Sequence, residues 1–136
     1  MKQIKVKASK RDLDKKISQY VFDNKNFVCR NSEDDYHVIN EQNGIVAYIH
    51  VPYYSTNLTS AWEIVKKIKQ MLLPDGDYFE FELHAFGDLC VAIFKHPLST
   101  GLGDKIFPYW YESWAYNPAE AICQAALKIP LRKEVE

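Results

Sequence analysis

Between Asn57 and Phe94 the spacing of apolar side chains changes period once, and that change constrains the fold more than any other feature of the chain. Leu58, Trp62, Val65, Ile68 and Leu72 recur at helical spacing, with Ala61, Ile64 and Met71 widening the stripe. Ser55, Thr56 or Asn57 can cap this helix, and Pro74-Asp75-Gly76 ends it. From Tyr78 the pattern alternates: Phe79, Phe81 and Leu83 oppose Tyr78, Glu80, Glu82 and His84, the two-residue period of a strand with one face in a core. "DLCVAIF" follows, nearly continuous in apolar residues, and Gly87-Asp88 between the two runs predicts a tight antiparallel hairpin. A helix running straight into such a hairpin predicts helices laid against an antiparallel sheet.

The flanking segments extend this plan. "YWYESWAY" (109–116) reads as a third strand, after which Asn117, Pro118 and Glu120 stand at cap, first and third positions of a last helix. Ala121, Ile122, Ala125 and Ala126 give that helix a small-residue face suited to close packing on a sheet. Near the start, Ser9 caps a helix over roughly residues 10 to 22, whose stripe is Leu13, Ile17, Tyr20 and Val21. Residues 24 to 44 are polar and turn-rich, and the expectation there is an irregular segment with two short strands at most, in "FVCR" and "YHVI". "IVAYIHV" before Pro52 reads as an edge strand or an extended connection. The fold class expected is α+β, helices packed on an antiparallel sheet in an α/β/α-type sandwich, as one domain over residues 1 to 136.

Composition removes several classes of function. A net charge of −1 gives the molecule no nucleic-acid signature, although residues 1 to 16 hold seven Lys or Arg against two Asp. No apolar run has the roughly 18 residues of a membrane span, and the N-terminal stretch lacks the apolar core of a secretory signal, so the expected location is the cytoplasm. Cys29, Cys90 and Cys123 are too few and too scattered for a disulfide framework or a zinc site, and all three are expected as buried free thiols. The histidines, His37, His50, His84 and His96, show no metal-ligand spacing, so no metal and no cofactor are expected.

Three segments resemble a known family. "RDLDKKISQYVF", "PYYSTNLTSAWEIVKKI" and "YNPAEAICQAALK", in that order, are similar to the phage ABA-sandwich domain family, small proteins of phages and prophages. The match covers most of the chain apart from residues 24 to 44. It implies an α/β/α-type sandwich and a phage origin, hence the cytoplasm of an infected bacterium, and no particular reaction. The loop "LSTGLGDK" and the acidic "NSEDDYHVINEQ" are not parts of the family pattern, and variable loops are where a specialised role is expected.

No catalytic motif is present, so binding is expected rather than turnover, against a host factor or a nucleotide-like small ligand, as a host-defence antagonist or sequestering protein. Ser99, Thr100 and Lys105 in the glycine-containing loop offer donors and charge for an anion. Tyr53 and Tyr54, beside Pro52, are expected as exposed rings, and Trp110 and Tyr111 stand between core and ligand platform; Lys66 completes the set of ligand contacts. Trp114 is expected in the core against Trp62, while Glu112 argues that the Trp110 side of the strand is not wholly buried. The alternative is a nucleic-acid or toxin-binding module, by analogy of topology with double-stranded-RNA-binding and HicB-like domains, but the last helix offers only Lys128, Arg132 and Lys133 for it. An enzyme using Glu80 and Glu82 ranks last. Homo-oligomers are expected from the aromatic and apolar strand edges.

Overall fold

A computed structural model describes residues 10–99 and 109–131. Three helices and two three-stranded antiparallel sheets make the fold α+β, as expected. The helices are α1 (Lys10–Tyr20), α2 (Leu58–Lys69) and α3 (Pro118–Leu127); the strands are β1 (Phe27–Cys29), β2 (Tyr36–Gln42), β3 (Ile45–His50), β4 (Glu80–Phe86), β5 (Leu89–Lys95) and β6 (Trp110–Ala115). One sheet has the order β1-β2-β3 and the other β4-β5-β6.

The second sheet follows the sequence pattern closely. Phe86 pairs with Leu89 across Gly87-Asp88, and Gly87 takes φ +62°, a conformation that glycine adopts without the Cβ penalty. Phe81, Phe94 and Tyr111 form one cross-strand row, with Leu83, Ala92 and Ser113 in the next, on the face toward the helices. Against that face α3 packs on β5 and β6, and α2 on β4 and on α3. Ala121, Ile122, Ala125 and Ala126 of α3 are fully buried, so the helix sits close, as its small side chains allow. Asn117 caps α3 by accepting from the N–H groups of Ala119 and Glu120, and Asn57 caps α2 by accepting from Ser60 N–H. Lys66, Lys67 and Lys69 stand in the last turn of α2, where the helix dipole favours cations.

The first sheet corrects an expectation. Residues 24 to 44 are not irregular: β1 and β2 pair in register from Phe27↔Val38 to Cys29↔Tyr36, and β2 and β3 from His37↔His50 to Gln42↔Ile45. The hairpin between β2 and β3 turns on Asn43-Gly44, both with positive φ (53° and 80°), the two-residue turn whose twist matches paired strands. Polarity misled because the outer half of this hairpin needs no buried face. All six residues of β3 are exposed, and β3 is an edge strand.

Helix α1 joins the two halves through buried polar contacts that a hydrophobic stripe does not reveal. Asp14 is fully buried; it accepts from Arg11 Nη1 at 2.6 Å and from the Ser55 N–H at 2.7 Å. Arg11 also donates to the carbonyls of Val51 and Pro52, and the Ser55 hydroxyl donates to the Lys10 carbonyl. The segments "RDLD" and "PYYST" are therefore the two halves of one clamp. At the far end of α1, the Tyr20 hydroxyl donates to the Ile129 carbonyl and accepts from the Leu131 N–H, tying the helix to the chain beyond α3.

The thiols divide. Cys123 is buried among apolar groups, which pushes its thiol far above the usual range, and Cys90 is half-buried, but Cys29, the last residue of β1, is exposed, contrary to expectation, with its thiol donating to the Glu33 carbonyl. Ser9, the expected cap of α1, lies outside the described residues, as do Arg132 and Lys133.

Candidate functional site

The face of the second sheet turned away from the helices carries the most organised group of exposed side chains. Strand alternation places Glu80, Glu82, His84 and Phe86 of β4 on it, with Lys95 of β5 and Trp110, Glu112 and Trp114 of β6. Val91 and Ile93 form its buried floor, beneath the cross-strand neighbours His84, Trp114, Glu82 and Glu112. The Glu112 carboxylate accepts from both indoles, Trp110 Nε1 at 2.7 Å and Trp114 Nε1 at 2.8 Å, and so fixes two large rings in place. Those two hydrogen bonds, Trp110 first, hold the Glu112 carboxyl below its ordinary value. Glu82 is held low as well, by His84 and then Lys95, whose ammonium lies 2.7 Å from it and stands over the Trp110 ring. Phe86 packs beside Trp114 with ring centroids 5.5 Å apart; both are about half exposed, and Tyr116 more so.

The Glu112 arrangement predicts a titration. A carboxyl whose folded pKa is depressed adds stability above its unfolded pKa, and that stability is lost as pH falls through the folded value. Protonation removes an acceptor from the two indoles, so tryptophan emission is expected to show a step below the ordinary glutamate range that Glu112→Gln abolishes. A step retained in that variant would assign the change to another group.

The sequence-derived contacts scatter over the molecule. Trp110 and Tyr111 lie on opposite faces of β6: Trp110 belongs to the outer face, whereas Tyr111 faces the helices and its hydroxyl is pushed up by burial. Tyr53 is half exposed beneath Arg11, whose guanidinium lies 4.1 Å from the ring centroid. Tyr54 corrects the expectation of an exposed ring; it is 6% exposed, stacked on Phe22, and burial pushes its hydroxyl up to about 12. Lys66 is exposed on α2, within 3.4 Å of Glu63. Ser99 is buried and its N–H donates to the His96 carbonyl, while Thr100 and Lys105 lie outside the described residues. Trp114 also departs from expectation. It is 47% exposed and packs on Phe86, while Trp62 packs edge-on against Phe81 on the other side of the sheet. Trp114 shares the Glu112 face, and the same alternation that exposes one exposes the other.

Two further features were invisible to spacing. A pocket of about 330 Å³ opens where the end of α2 meets β6 and the chain after α3, lined by Leu73, Phe79, Tyr109, Tyr111, Ile129 and Leu131 among others. Its described lining holds no cationic side chain, and the tyrosine hydroxyls are its polar side-chain groups. Among the described residues two groups combine histidine with aspartate at ligand spacing, Asp35 with His37 and His50, and Asp75 and Asp77 with His96. The helical His-x-x-x-His spacing misses both, because each group is assembled across a turn or a strand pair.

No protein-family profile matches the sequence, and no curated protein is detectably similar to it. The fold is similar to that of a phage protein from Bacillus cereus ATCC 14579, with a TM-score of 0.53 and 20% identity, over 93% of this chain and 97% of the other. Likeness at that identity establishes a shared fold, and a fold hosts many functions. No described helix is long and apolar enough to cross a membrane.

Proposed function

We propose that this chain is a non-enzymatic accessory protein of a phage, belonging with the phage ABA-sandwich domains, that acts in the host cytoplasm by binding a host protein, as an antagonist of host defence. The observation that carries the reading is the pair of indoles, Trp110 and Trp114, held by Glu112 beside the exposed ring of Phe86 on a sheet face against which no described helix packs. Aromatic side chains fixed before contact lose little conformational freedom on binding, and tryptophan is prominent among the residues that dominate interfaces. The Bacillus cereus phage protein of the same fold supports the phage origin.

Charge indicates the partner's chemistry. Glu80, Glu82 and Glu112 share this face with Lys95, whose ammonium is already occupied by Glu82. The surface therefore favours a protein segment that presents Arg or Lys beside apolar groups, and it repels phosphates. That counts against a nucleic acid here, and the uncharged pocket near Tyr111 does not favour a nucleotide either. Glu82, held ionised by His84 and Lys95, accepts hydrogen bonds well and is a poor proton donor, which weighs against acid catalysis by the Glu80 and Glu82 pair.

A second copy of the chain is the other partner the surface favours. Strand β3 is an unpaired edge with Ile45, Val46, Tyr48 and Ile49 exposed, and it has no proline or lysine to block pairing. An antiparallel pairing of β3 with itself about a two-fold axis satisfies both edges.

Native mass spectrometry of gently purified protein tests these readings together. Expected are a dimer without small-ligand mass and, after mixing with host lysate, a captured protein that Trp114→Ala loses and Lys66→Ala keeps. A co-purifying mass of nucleotide size, or capture indifferent to Trp114, would overturn the protein-docking reading.

A further inference from the structure

We infer that Asp35, His37 and His50 form a binding site for one first-row divalent cation of the zinc type, at the root of the β2–β3 hairpin. The three side chains each bring one ligand atom within 4.8 Å of the other two. His37 and His50 are direct cross-strand partners, and their rings meet edge to face with centroids 4.9 Å apart. Asp35 immediately precedes β2, and its Oδ1 lies 3.0 Å from His50 Nε2. Zinc holds nitrogen and carboxylate oxygen at roughly 2.0 to 2.2 Å, which puts tetrahedral ligands roughly 3.3 Å apart. The three ligand atoms lie within 4.8 Å of one another, so binding draws both rings in toward Asp35 Oδ1, His37 presenting Nε2.

The surroundings favour a ligand set over a chance meeting. Asp35 Oδ2 accepts from Asn31 Nδ2 at 2.7 Å and from the Asn31 N–H at 3.2 Å, so the carboxylate is oriented from behind and Oδ1 is left toward the histidines. His37 Nδ1 lies 3.1 Å from the Asp35 carbonyl, which can only accept; Nδ1 therefore carries the proton and Nε2 a lone pair. A backbone carbonyl on one imidazole nitrogen is a recurrent way of fixing the tautomer of a metal-binding histidine. His50 Nε2 donates to Oδ1 in the metal-free protein; when a cation takes that nitrogen, the proton moves to Nδ1, on a side chain 40% exposed to water. Arg11, which donates to the neighbouring Asp34 carbonyl, has its charge matched by Asp14 at 2.6 Å, and the Arg30 guanidinium lies over the Tyr48 ring. Two imidazoles and one carboxylate suit zinc and its neighbours better than magnesium or calcium, and three protein ligands leave a fourth position open.

The other histidine group provides the contrast. His96 Nδ1 accepts the Leu98 N–H at 3.0 Å, so Nε2 must hold the proton and donate it to Asp75 at 2.8 Å and Asp77 at 3.1 Å. A cation on His96 Nε2 would displace that proton with no vacant nitrogen to receive it. This group reads as a hydrogen-bonded brace between the Pro74–Asp77 turn and the segment after β5.

The test is zinc binding by the full chain after treatment with a strong chelator, followed by competition with a chromophoric chelator, and cobalt substitution read by visible absorption. Expected is one equivalent of metal and a tetrahedral cobalt spectrum, both lost in His50→Gln and in His37→Ala and both kept in His96→Gln. Asn31→Ala is expected to weaken binding by roughly 10- to 100-fold, since it removes only the orienting contact. His50 is exposed, so His50→Gln folds even if a change at His37 does not. No zinc bound, or zinc kept in His50→Gln and lost in His96→Gln, overturns the assignment.

Discussion

Asp14→Ala is expected to lose about 3 to 5 kcal/mol of stability in chemical denaturation, the cost typical of removing one partner from a buried ion pair. The carboxylate is fully buried, and Arg11 is nearly so at 12% side-chain exposure. Without Asp14 the guanidinium keeps the Val51 and Pro52 carbonyls but loses its charge partner, and the Ser55 N–H loses its acceptor inside the protein. Ser55 is itself fully buried, so water cannot readily replace the lost oxygen. Asp14→Asn should fall between the two, because an amide oxygen can still accept from Ser55 while the charge is gone. A loss under about 1 kcal/mol for Asp14→Ala would show that the clamp is not what holds α1 to the segment before α2.

Trp114→Ala should weaken capture of the host protein by roughly 30-fold or more, about 2 kcal/mol, while stability changes far less. The two effects separate because Trp114 is 47% exposed and rests on Phe86 and Glu112, not in the helix-facing core. Phe86→Ala should follow it in direction, and added salt should weaken the complex further if the partner is cationic. Glu112→Gln makes a sharper probe. The amide can accept from one indole through its oxygen, but its NH2 cannot accept from the other, so one ring is released without its surface being removed. Capture that survives both Trp114→Ala and Phe86→Ala would remove the outer face from consideration and return attention to β3.

What could be read from the sequence follows the physics of each element. Helices α2 and α3 and the β4–β5 hairpin are legible because each has one buried face, so period, cap and turn agree: Asn57, Asn117, Gly87 and the Phe79-Phe81-Leu83 alternation all stand where expected. In the first sheet the segments "FVCR", "YHVI" and "IVAYIHV" are strands, as the sequence allows, but the length of β2 and the pairing of the three are not legible. A strand with both faces in water carries no alternation to detect, although Asn43-Gly44 was a hairpin signal in plain view. The Arg11–Asp14–Ser55 clamp is illegible for a different reason: its partners stand some forty positions apart, and hydrophobic periodicity treats a buried aspartate as a surface residue. Trp114 is exposed because it shares the parity of Glu112, whose charge marks that face of β6 as open. Of the six expected ligand contacts among the described residues, Trp110 is the one that the outer face retains; Tyr54 belongs to the core, and the histidine pair His37 and His50 emerges only with the β2–β3 register.

The tie between Tyr20 and the Ile129–Leu131 segment has a consequence for how the protein is made. Helix α1 leaves the ribosome 109 residues ahead of the Ile129 carbonyl that Tyr20 holds, and α3, on which it packs, follows α2 and all six strands in the chain. The β2–β3 hairpin can form during translation because its contacts are local, but the central packing must wait for α3. Until then the apolar sides of α1 and α2 lack their cover, and a ribosome stalled after the β2–β3 hairpin has emerged but before α3 is made would hold a chain with a formed hairpin and no α3 against which to close its core.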